Sequence, residues 1–162
     1  MIWSDLPKLL VQATLIVAGW AVVYRLQGLQ SRRKALREQV DAARQLVKKA
    51  RGMAIAFHTA PSFDHQQHEE LLELIADIDR HCQLFPKIVR TRLPWPNAAD
   101  PKECAVPSES LVALRRAITL EHFDDDPSRM PLLRDAEQIA CIQHAADDLL
   151  ATLDRITVAA LD

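Results

Sequence analysis

Residues 9–24 read LLVQATLIVAGWAVVY, sixteen positions without a charge, in which Gln12 and Thr14 are the polar exceptions beside the aromatics. As a helix rising 1.5 Å per residue the stretch spans about 24 Å, short of a hydrocarbon core of about 30 Å. Leu6 and Pro7 extend it, and the long stems of Lys8 and Arg25 can carry their charges out to the headgroups. Trp3, Trp20 and Tyr24 stand where interfacial aromatics belong. Ser4 or Asp5 can cap such a helix, with Pro7 in its first turn.

Three readings compete for this stretch. A cleaved signal peptide fits poorly, because Asp5 offsets Lys8, no A-x-A site follows, and Arg25, Arg32, Arg33, Lys34 and Arg37 resist translocation. A buried core helix seldom needs to be apolar on every face in a chain this small. A single-pass signal anchor satisfies length, aromatic belt and charged flank together. The pattern predicts a transmembrane helix over residues 1–25, with Leu9, Leu10, Val11, Leu15, Ile16, Val17, Trp20, Val22, Val23 and Tyr24 in lipid. The cations follow the apolar run, so the positive-inside rule sets the N-terminus outside the inner (plasma) membrane and the rest in the cytoplasm. Thr14, Ala18 and Ala21 place small residues along one side, a pattern that lets such helices associate into a homo-oligomer, although a monomeric anchor with incidental small residues is the reading preferred.

Beyond the anchor, apolar residues recur every seven positions in two series: Leu29, Leu36, Ala43, Ala50, Phe57 and Val40, Val47, Ala54. Taken as d and a positions they make a coiled-coil-like seam with Arg33 as its defect, widened by Leu46 and Met53 at g. Arg37, Arg44 and Arg51 at e have no acidic g partners, which suits a helix packed into a bundle better than a two-stranded coil. The break HTAPSF at 58–63 is followed by Asp64 and Gln67, a capping-box pattern. Four helices are expected at about 26–58, 64–85, 108–120 and 130–158, with a Pro-rich connection over 86–107. The fold class is thus all-α: a membrane helix continuing into a cytoplasmic four-helix bundle over residues 26–162.

The 162 residues fit one domain, and three widely spaced cysteines without CxxC suit a reducing compartment. A net charge of -2 conceals an asymmetry: residues 25–51 carry an excess of Lys and Arg, and residues 121–162 an excess of Asp and Glu. The basic block lies where anionic headgroups can meet it, or it can pair with the acidic last helix.

Chemistry is sparse. His65, His68 and Glu69 sit at helical spacing that can present metal ligands on one face, although exposed side chains in a polar first turn explain them as well. His144 with Asp147 and Asp148 is a second such group, and FDDD at 123–126 is read as capping of the last helix rather than as a calcium loop. Arg115 and Arg116 followed by His122 (RRAITLEH) resembles the Arg-x4–6-His signature of the HEPN family. That resemblance implies a helical, often dimeric ribonuclease of defence or toxin systems. Arg115 or Arg116 would then stabilise the cleaved phosphate, and His122 would transfer protons. A chain this rich in Arg and His yields about one or two such matches by coincidence, and Arg51–His58 is a second one. No motif for a cofactor occurs, and no aromatic-studded basic strand suggests nucleic acid. The expectation is a non-catalytic, membrane-anchored adaptor or accessory protein that binds a cytoplasmic partner. The alternatives are a membrane-bound HEPN-type ribonuclease and an oligomeric pore-forming effector.

Overall fold

A computed structural model describes residues 6–89, 101–119, 123, 130–133 and 135–159, with the side chains of 6–10 left out. Among the described residues all regular structure is helical: α1 (Leu6–Thr59), α2 (His65–Val89), α3 (Ser108–Thr119) and α4 (Glu137–Ala159). The helices assemble as an antiparallel bundle. α1 packs on both α2 and α4, and α3 lies on α4.

The heptad stripe of α1 is the spine of the core. Leu36, Val40, Ala43, Val47, Ala50, Ala54 and Phe57 are all buried, in the order of the a and d series. Ala43, Ala50 and Ala54 are small enough for neighbouring helices to approach closely, while Phe57 fills the far end. Leu71, Leu74, Ile75, Ile78, Cys82 and Phe85 supply the facing stripe of α2, and Ile142, Ala146, Leu149, Leu153 and Ile156 that of α4. Arg33, the defect in the seam, is exposed.

Two ion pairs fix how α4 lies on α1. Arg44 bonds Asp154 and also Thr157 at 3.1 Å, and Arg51 bonds Asp147 at 2.7 Å. Both arginines and both aspartates are seven residues apart in opposite directions, which is two helical turns of antiparallel register. The basic first helix therefore does pair with the acidic last one.

Element boundaries depart from the sequence reading in three places. α2 runs through Pro86 to Val89 instead of ending near 85, because Phe85, Ile88 and Val89 all rest on the core and offset the one backbone bond that Pro86 removes. α4 begins at Glu137 rather than 130. Met130–Leu133 has no regular structure, and the Leu132 amide donates to the carbonyl of His58 at 2.9 Å, so the chain crosses the end of α1 before it coils. The capping box at α2 is half made: Asp64 Oδ1 accepts from the amides of Gln66 (2.9 Å) and Gln67 (3.2 Å), but Gln67 Oε1 is buried without a hydrogen bond. The Pro-rich connection begins in helix and later forms a turn closed by the Ala105 amide on Lys102 O (3.2 Å). Residues 90–100, with Trp95, lie outside the described residues.

Candidate functional site

α1 is 54 residues long, about 80 Å, whereas α2 and α4 are 25 and 23 residues, each under 40 Å. The longest helix therefore outruns its partners. Leu36 is its first buried residue, and Val11–Gly28 is exposed throughout. Leu15 (66%), Trp20 (73%) and Tyr24 (79%) are bare, and so are Val11, Ile16, Val17, Val22 and Val23 on the other sides of the helix. Among the described residues nothing covers this apolar surface, which runs all round the helix. Leu9 and Leu10 belong to the same helix, but their side chains lie outside the described residues.

Among the described residues, however, no helix is long and apolar enough to cross a membrane. The reason is length: Val11–Tyr24 covers about 21 Å, and Arg25 and Gln27 follow at once. The sequence reading needs Leu6–Leu10 to complete the span.

Below the bare segment the helix changes character. Arg32, Arg33 and Arg37 are exposed and have no ion pair among the described residues, and Lys34 has a loose exposed contact with Glu38 at 3.9 Å. From Arg44 onward the e-position arginines are bonded to α4. By the register of those pairs, Arg37 stands past the last described turn of α4, which ends at Ala159.

At the opposite end of the bundle lies a cluster that the sequence reading missed. Phe57, His58, Phe63, His65, His68 and Phe123 form one continuous set of ring contacts, with His68 and Phe123 centroids 4.5 Å apart. His58 is fully buried, and its Nε2 donates to the carbonyl of Ile118 at 2.9 Å, so the ends of α1 and α3 meet through one imidazole. The signal for this was the aromatic and His density of FHTAPSFDHQQH on either side of the α1–α2 turn. The cluster also separates the metal candidates. His68 is half-buried among phenyl rings, while His65 and Glu69 are exposed. Among the described residues no group of three His, Cys, Asp or Glu is placed to hold a metal ion. His144 meets Asp148 at 3.4 Å on an open face, and Asp147 is engaged with Arg51.

The seam between α2 and α3 is left open. Ile75, Ile78, Leu111 and Leu114 form its apolar floor, Asp79 and Arg115 stand on facing walls, and the groove encloses about 130 Å³. Val112 (59% exposed) and Leu72 lie bare on these two helices. Arg115 and Arg116 are both exposed on α3, and His122 lies outside the described residues. Cys82 and Cys104 are buried and Cys141 is exposed. Burial, with the charge of Asp79 second, pushes the Cys82 thiol up to about 12, which keeps it protonated and chemically quiet.

No protein-family model, curated protein or solved structure matches this chain.

Proposed function

We propose that the protein is a membrane-tethered helical adaptor, held by residues 9–24 as a single-pass anchor with its N-terminus outside and its bundle in the cytoplasm. The observation that carries the reading is the projection of α1: an apolar surface on every side, bare over Val11–Tyr24 and joined to the bundle by unbroken helix. Lipid is the environment that covers all sides of one helix, whereas a partner helix covers one stripe. Leu6–Leu10 supply the length that the described run lacks, and the cations from Arg25 onward set the direction.

A binding role accounts for the remainder. The bundle presents an apolar groove with mixed charges between α2 and α3. A groove of this kind takes an amphipathic segment of a cytoplasmic partner. Carbonate extraction of membranes carrying the full chain, with a reporter fused to the C-terminus, tests the anchor. Retention in the pellet with a reporter active in the cytoplasm is the expected result; release into the wash, or a reporter active outside, overturns it.

A further inference from the structure

Resting on the anchor reading, we propose that Arg32 and Arg33 form a headgroup site for anionic phospholipid on the projecting part of α1. The heptad register puts Arg33 at an a position and Arg25 and Arg32 at g, on the face that is apolar core from Leu36 onward. On the N-terminal side of Leu36 that face therefore mixes these arginines with Leu26 and Leu29. Of the cations that come after it, Arg44 and Arg51 are engaged by Asp154 and Asp147, whereas Arg32 and Arg33 have no ion pair among the described residues.

Distance selects the lipid-facing set. Arg32 and Arg33 stand about 12–14 Å along the helix from Tyr24, and the headgroup layer occupies about 5–8 Å of that. Side chains on a helix lean toward its N-terminus, which here is the membrane side, so both guanidiniums are carried back toward the phosphates. A guanidinium binds phosphate through two parallel hydrogen bonds, a geometry that zwitterionic lipid offers without the net charge. Arg37, about 20 Å from Tyr24, is beyond the screening length of about 8 Å from the headgroup layer.

The test uses the full chain with Trp3→Phe and Trp95→Phe, which leaves Trp20 as the single indole. It is reconstituted in vesicles of mixed phosphatidylcholine and phosphatidylglycerol, with bromine on the acyl chains of one lipid or the other. Stronger quenching of Trp20 by brominated phosphatidylglycerol is expected. Arg32→Gln with Arg33→Gln lowers that preference, about fivefold in relative affinity per arginine, and Lys48→Gln with Lys49→Gln leaves it intact. Equal quenching by both lipids in the wild-type background, or a preference that survives the double arginine variant, overturns the headgroup site while the anchor stands. Quenching by neither lipid removes the anchor as well.

Discussion

Arg51 and Asp147 meet at 2.7 Å across the α1–α4 interface, and with Arg44 and Asp154 one heptad away they set the register of the two helices. The pairs engage Arg44 and Arg51 within the chain, whereas Arg32 and Arg33 nearer the N-terminus have no ion pair among the described residues.

Both pairs lie near the surface, with the aspartates well exposed, so each is worth little in isolation. A double-mutant cycle on Arg51→Ala and Asp147→Ala is expected to give a coupling of about 0.2–1 kcal/mol in urea unfolding. Arg44→Ala costs more than Arg51→Ala, because Arg44 also bonds Asp41 at 2.6 Å and Thr157 at 3.1 Å. The charge swap Arg51→Asp with Asp147→Arg recovers most of the loss of either single change. A swap no better than the singles would mean the pair does not set the register.

Phe57 is fully buried where α1, the α1–α2 turn and Phe123 converge, touching the rings of His58, Phe63, His68 and Phe123. Phe57→Ala is expected to destabilise the bundle by about 3–5 kcal/mol in denaturant melts. Trp20→Ala, at a bare position beyond the bundle, should change it by less than about 0.5 kcal/mol.

The spine of this core was legible in the sequence. A seven-residue repeat from Leu29 to Phe57 has one physical use, a buried stripe, and every a and d position from Leu36 onward is buried. Where tertiary contacts overrule local signals the reading failed. Pro86 marks an end by itself, yet Phe85 and Val89 hold the helix together around it. Met130–Leu133 has helical spacing, but the His58 carbonyl claims the Leu132 amide. His68 looked like a surface residue because periodicity sees its own helix and not the Phe123 ring packed over it from elsewhere in the chain. The open groove between α2 and α3 depends on how two helices splay and leaves no mark in either sequence.

The three thiols should separate cleanly. In the folded chain a maleimide labels Cys141, whereas Cys82 and Cys104 react after unfolding. Cys82 has a second consequence. An unfolded thiol ionises near pH 8.5, and the folded one is pushed up to about 12. The unfolded state therefore loses its proton first. The stability that a protonated Cys82 contributes is fully present below about pH 8.5 and drains away as pH rises toward 12, at up to about 1.4 kcal/mol per pH unit. Urea melts at neutral and alkaline pH should show this slope, and Cys82→Ala should flatten it. An unchanged slope in the variant contradicts the assignment.

If the α2–α3 seam receives the cytoplasmic partner, a photo-crosslinker placed at Val112 on its lip captures a discrete adduct in intact cells. The same group at Gln143, exposed on α4, captures none. Both positions are exposed, so neither replacement should disturb folding. Equal adducts at the two sites would dissociate the groove from partner binding.

The central claim is that α1 enters lipid and emerges from it as one helix, and single-cysteine scanning measures that directly. With the native cysteines replaced by Ala, each position from 11 to 37 is exchanged in turn for Cys and exposed in intact membranes to an impermeant maleimide applied from either side. The account predicts protection through Tyr24, then labelling from the cytoplasmic side that becomes strong by Arg32. Uniform labelling of residues 11–24 in membranes would contradict it.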